Sequence, residues 1–302
     1  MGQIIKIYDY ISRYEQDIYN YPARFITLKR RQWERLKENW ESGYFYTVQW
    51  ETTEDGFEGI ESEELKSPFQ RLTERIWKRN RNKKMKDEYD DFTRVKPDTI
   101  QELKSFFLDE IFQVQLSWAS STFDQKSFID TSFLKEWQLK FFAQRFPDTF
   151  LFLYKPVFQL KKARVEAETI LVTPAEIFCF TFLEDERDSV YIASEERFWE
   201  MRAYQRRKRI INPTLALNRT ARIIDSILQS QNIEFPITKI LIARDGYIDD
   251  PSPPYGLKIV DKRDFDQWFQ SLRSYRSPLK RDQLKVADSL LSFCLTQAAM
   301  RS

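Results

Sequence analysis

The sequence predicts an α/β protein in two parts: an all-helical domain over residues 1–120, and a domain over 130–302 in which strands alternate with helices and a helix closes the chain. Three observations predict it. In the first part apolar residues recur at three- to five-residue spacing, the period of a buried helix face. In the second they gather into short runs rich in Val, Ile and Phe, as buried strands do. Among those runs, Asn212-Pro213 opens a stretch of helical period, with asparagine as cap and proline in the first turn.

Taken in order, the first part contains four helical stretches, over 4–21, 24–40, 67–80 and 99–118. In the second, Phe25, Leu28, Trp33 and Leu36 form one stripe. In the fourth, Asp98 or Thr99 caps the start, Glu102 completes a capping box, and Leu103, Phe106, Phe107, Ile111 and Val114 make the apolar face. A short amphipathic helix over 132–146 begins the second part. Strands are expected within 149–160, 168–174, 176–184 and 189–194, the second and third joined as a tight hairpin at Pro174-Ala175-Glu176. The helix after Asn212 leads to strands over 237–245 and 256–262 and to helices over 265–273 and 280–299.

Composition narrows the chemistry. Hydrophobic residues at 42% and charged residues at 31% describe a globular chain. No apolar run approaches the roughly 18 to 20 residues that span a bilayer, and the amino terminus has no secretion leader, which predicts a cytoplasmic protein without a membrane partner. Gly2 does not mark lipidation, because Lys6 stands where Ser or Thr is required. Cys179 and Cys294 lie in apolar contexts and read as buried free thiols. The chain has no histidine, which excludes Ser-His-Asp triads, Cys-His dyads and His-ligated zinc. No glycine-rich phosphate loop is present, and Trp33, Trp40, Trp77, Trp118, Trp137, Trp199 and Trp268 read as core or interface residues.

The run ETILVTPAEIFCFTFL, then FW, INPTLALNRTARIIDSIL and ITKILIARD, resembles the nuclease-related domain, a branch of the PD-(D/E)xK nuclease superfamily, over about residues 132 to 275. Thr173-Pro174 between two strands, Trp199, and Asn212-Pro213 at a helix start carry the resemblance. It implies a restriction-endonuclease-like mixed sheet flanked by helices. In the family an Asp opens the first hairpin strand and a Glu-x-Lys lies on the second, together holding a divalent metal and orienting a water. Alignment on Thr-Pro places Glu168, Thr181 and Leu183 at those three positions, and Ala216 where a Gln follows Asn-Pro. A threonine is a weak oxygen ligand and a leucine moves no proton, so the resemblance implies a pseudoenzyme with no metal, no cofactor and no catalytic residues. Glu184, Asp185, Glu186 and Asp188 are the acids that a relocated site would use; as EDERD they read as a solvated turn.

Nucleic-acid binding survives loss of cleavage, because backbone affinity comes from Lys and Arg. Two segments are candidates: Lys78, Arg79, Arg81, Lys83 and Lys84, followed by Lys86; and Arg202, Arg206, Arg207, Lys208 and Arg209 with Tyr204 among them. Acids flank both, Asp87 to Asp91 the first and Glu195, Glu196 and Glu200 the second, and the pI near 8.3 is modest. The expected function is therefore non-catalytic, nuclease-like binding of DNA or a protein partner. The alternatives are a divergent metal-dependent nuclease with relocated carboxylates and an assembly protein without nucleic acid.

Overall fold

The computed structural model describes residues 1–43, 97–161, 163–204 and 206–300. The helix expected over 67–80, the acidic stretch from Glu51 to Glu64 and the basic run Lys78, Arg79, Arg81, Lys83 and Lys84 with its neighbouring acids lie outside the described residues. Among the described residues no helix is long and apolar enough to cross a membrane. The chain divides into two compact units, Met1–Ile26 with Gln115–Ser302, and Thr27–Val114.

Within the Thr27–Val114 unit most of the described residues are helical, as their period predicts. The helical ones belong to α1 (Tyr21–Glu41) and α2 (Ile100–Trp118), each of which continues across the unit boundary. Trp33 meets Phe107 edge-on with ring centroids 5.2 Å apart, and Trp40 Nε1 donates to the Pro97 carbonyl at 2.6 Å. The capping box forms: Glu102 N–H donates to Thr99 Oγ1 at 3.2 Å, and Glu102 Oε2 accepts from Thr99 N–H at 3.4 Å as well as from Asp98 N–H at 2.8 Å.

The other unit is mixed α/β. Its six-stranded sheet runs β1 (Gln3–Ile7), β3 (Leu151–Tyr154), β6 (Thr169–Val172), β7 (Ile177–Phe182), β11 (Ile237–Ala243), β13 (Leu257–Asp261). β3, β6 and β7 are antiparallel to one another in turn, while β1 on one side and β11 and β13 on the other add parallel to their neighbours. A second sheet runs β10 (Arg206–Ile211), β9 (Phe198–Ala203), β8 (Val190–Ile192), β12 (Tyr247–Asp249). Two small pairs complete the strands: β4 (Val157–Leu160) with β5 (Ala163–Glu166), and β2 (Gln125–Lys126) with β14 (Ala299–Met300).

Helices cover both faces of the larger sheet. On one, α3 (Trp137–Arg145) and α5 (Phe265–Arg273) meet an aromatic layer: Phe142 lies 4.0 Å from Phe152 and 5.3 Å from Phe180, centroid to centroid, and Phe180 lies 5.9 Å from Trp268. Strand alternation turns Ile177, Cys179 and Thr181 to the other face, under α4 (Pro213–Ser230) and α6 (Arg281–Ser292). Asn212 caps α4 as expected, accepting from Thr214 N–H at 3.0 Å, and its amide also donates to the Ser194 and Glu196 carbonyls. Trp199 is buried, its Nε1 donating to the Ser194 carbonyl at 2.9 Å.

Three expected helices change. The stretch read as a helix over 4–21 opens with β1, because all five residues Gln3–Ile7 are buried and a strand covered on both faces carries no alternating signal. The helix expected from 132 starts at Trp137, since Asp130 caps a separate 3-10 turn at Thr131–Leu134. The last helix stops at Ser292 rather than 299: the chain beyond it turns to β4, where Leu295 N–H donates to the Val157 carbonyl at 2.7 Å and Cys294 bridges Phe158. Both cysteines are free, Cys179 buried and Cys294 partly so.

Candidate functional site

The β6–β7 hairpin brings two of the three family positions together. Its turn is fixed by Thr173, whose Oγ1 accepts from Glu176 N–H at 3.1 Å and donates to the Glu176 carbonyl at 2.8 Å. From there the register Ile170 opposite Cys179 and Thr169 opposite Phe180 carries on to Glu168 opposite Thr181. Glu168 N–H donates to Thr220 Oγ1 of α4 at 2.9 Å, which holds the start of β6 against that helix. Leu183 follows at the end of β7, its N–H bound to the Ile242 carbonyl at 2.7 Å. These positions lie at the carboxyl ends of β3, β7 and β11, where open α/β sheets receive ligands.

Electrostatically the spot is occupied by one carboxylate among cations. Burial pushes the Glu168 carboxyl above its usual range, while the Thr181 hydroxyl, Lys155 and Arg219 pull it back. The Thr181 oxygen is close enough for that, yet is buried without a hydrogen bond of good geometry. On the neighbouring strand Lys239 stands opposite Cys179, but its ammonium is bonded to Asn218 Oδ1 at 2.8 Å. It does not replace the amine absent at Leu183.

The acids after β7 are engaged elsewhere. Glu184 Oε2 accepts from Trp137 Nε1 at 2.8 Å, Asp185 pairs with Lys208 at 3.5 Å, Glu186 with Arg206 at 3.1 Å, and Asp188 with Lys262. Among the described residues no cluster of three or more His, Cys, Asp or Glu is placed to hold a metal. The divalent cation that the family resemblance implies needs at least two converging carboxylates. One half-buried glutamate beside a threonine does not fit it.

The predicted basic segment forms the β9–β10 hairpin. Its cations face acids that are distant in sequence as well as near: Arg202 bonds Glu200 at 2.7 Å, Arg207 lies 4.0 Å from the same carboxylate, and Arg206 and Lys208 hold the Glu186 and Asp185 pairs. Arg209 stacks on Phe198, 4.7 Å from the ring centroid. Tyr204 is fully exposed at the turn.

Sequence reasoning missed a second set of cations. Lys155 follows β3, and Arg219 and Arg222 lie on the exposed face of α4. The two arginines line a groove of about 380 Å³ with Leu160, Leu215, Asn218 and Ile223. Arg219 donates to the Glu166 carbonyl at 3.2 Å, and neither arginine is in an ion pair among the described residues. Their i, i+3 spacing within RTAR was the available signal. Lys155 had none, because strand pairing alone brings it beside Glu168.

Among known proteins, the chain is 37% identical over 122 residues to an RNA 2′,3′-cyclic phosphodiesterase from Geobacillus stearothermophilus. The match covers 38% of this chain and 36% of that protein, so the chain spans little more than a third of the relative's length. No family model matches the chain, and no solved structure matches it.

Proposed function

We propose that this chain is a non-catalytic, nuclease-like binding protein, a degenerate relative of the PD-(D/E)xK enzymes of the nuclease-related type, and that it contacts DNA. One observation carries the reading: Glu168 and Thr181 meet at the carboxyl ends of the sheet, beside Lys155 and Arg219, with Leu183 just beyond them on β7 and the later acids in other bonds. A phosphodiester backbone needs cations that are not already neutralised, and the groove along α4 supplies Arg219 and Arg222. The β9–β10 cations, each facing an acid or a ring, add less.

The activity named for the relative concerns a phosphodiester of RNA, which is compatible with a polynucleotide ligand here. Cleavage through imidazole acid-base chemistry is closed to a chain without histidine. A metal-dependent route would have to recruit Glu168 with an acid from 184–188, and those acids would first have to leave Lys208, Arg206, Lys262 and Trp137.

The test is fluorescence anisotropy with labelled single- and double-stranded DNA across a salt series, with Mg²⁺ or Mn²⁺ present and products run on a gel. Binding should weaken with salt, and Arg219→Gln with Arg222→Gln should reduce both affinity and the salt slope, the latter by about one unit for each arginine removed from a phosphate. The oligonucleotides should emerge intact. Robust cleavage abolished by Glu168→Ala would overturn the non-catalytic reading, and absence of binding at low salt would favour a protein-assembly role.

A further inference from the structure

A second concave site lies at the other end of the sheet. β3 begins at Leu151 opposite Val172, whereas Glu168 precedes the start of β6; residues just before Leu151 therefore sit at the strand ends remote from the Glu168 groove. There a pocket of about 380 Å³ is lined by Arg145, Asp148, Thr149, Arg273, Tyr275 and Arg276, with neighbouring residues completing the rim. Three arginines from two separate stretches of chain thus line one depression, together with one acid.

None of the three arginines is in an ion pair among the described residues, and all three side chains are exposed. That contrasts with the β9–β10 hairpin, where four of the cations face carboxylates. Arg145 and Arg273 end α3 and α5, so part of their duty is to complement the carbonyl ends of those helices. Arg276 lies beyond any helix and has no such duty.

The pocket wall is firm. Gln283, fully buried, donates from Nε2 to the Thr149 carbonyl at 2.6 Å and to the Val172 carbonyl at 2.9 Å, which ties the pocket floor to the sheet. Tyr275 packs on Phe150 with ring centroids 5.5 Å apart and gives the wall an aromatic side. The Thr149 hydroxyl is buried with no hydrogen-bond partner, an uncommon condition in a protein interior.

Guanidinium forks match the oxygens of a phosphate two at a time, and several of them favour a dianion over the single charge of a phosphodiester. The pocket volume is at the lower end of small-molecule sites and suits one nucleotide. We infer that this pocket binds a phosphate monoester of nucleotide size, carried either by a free mononucleotide or by the 5′ end of a nucleic-acid strand. It would do so whether or not the α4 groove receives DNA.

Calorimetry on the full chain tests it with adenosine 5′-monophosphate, adenosine, inorganic phosphate, and one oligonucleotide with and without a 5′-phosphate. The monophosphate should bind saturably and adenosine should not, and inorganic phosphate should compete. Arg273→Gln with Arg276→Gln should weaken the monophosphate at least tenfold, whereas Arg219→Gln on the distant groove should leave it unchanged. Should the double variant fail to fold, Arg276→Gln alone, off any helix and exposed, must still weaken binding with an unaltered melting temperature. Competition by the 5′-phosphorylated oligonucleotide alone identifies a strand end as the source, and its failure to compete identifies the free nucleotide. No saturable binding of the monophosphate, or binding indifferent to Arg273 and Arg276, overturns the proposal.

Discussion

Two acids show how burial can lead to opposite outcomes. Burial alone pushes the Asp261 carboxyl up, yet hydrogen bonds from the Arg263 side chain, from its N–H at 2.9 Å and from Ile248 N–H at 3.2 Å leave it below the usual range. For Glu168 burial outweighs the opposing pull of the Thr181 hydroxyl, Lys155 and Arg219, and its carboxyl stays above the usual range. In the window between its unfolded and folded pKa values the native state holds the proton more firmly, so Glu168 erodes stability as pH rises through that window and costs nothing below it. Glu168→Gln should therefore raise the melting temperature near neutral pH and leave it unchanged at pH 4. Melting curves from pH 4 to 8 check this. A variant less stable than the parent at neutral pH would mean that the ionised carboxylate is held by a cation after all, which would reopen the case for a working ligand site.

At the scale of elements, the strand that sequence reasoning took for a helix depends on a buried ion pair. Lys6 on β1 is fully buried, and its ammonium bonds Glu15 and Thr296 Oγ1. Glu15 in turn accepts from Ser12 N–H at 2.9 Å in the cap of the following 3-10 turn. Removing one partner leaves the other charge buried and unpaired, so Glu15→Gln should cost about 3 kcal/mol, whereas adding Lys6→Met should recover most of that loss. Denaturant midpoints of the two variants measure it, and equal destabilisation by both would show that packing and not charge holds β1. The same strand marks a limit of the sequence. Elements set by local chemistry were legible: the Thr99 cap, the Thr173 turn, the Asn212 cap, and with the turn the meeting of Glu168 and Thr181. What pairing at longer range decides was not: β1 beside β3, the Glu186 and Asp185 partners of the β9–β10 cations, and Lys155 beside Glu168.

On the scale of the whole molecule, the α/β unit is assembled from the two ends of the chain. The backbone leaves it after Ile26 and returns at Gln115. Its own contacts close that gap: Ile4 N–H donates to Gln115 Oε1 at 2.9 Å, and Phe25 meets Trp118 at 5.7 Å between ring centroids. Because the exit and re-entry points are already tied by these contacts, a short flexible linker in place of Thr27–Val114 adds little closure entropy. The shortened chain should unfold cooperatively, with β1 still paired to β3, and should keep both the monophosphate pocket and the α4 groove. Circular dichroism melting and the same anisotropy titrations decide it. A shortened chain that folds but no longer binds DNA would transfer the nucleic-acid reading to the Thr27–Val114 unit. One that fails to fold while the intact chain is stable would make that unit a structural requirement of the sheet.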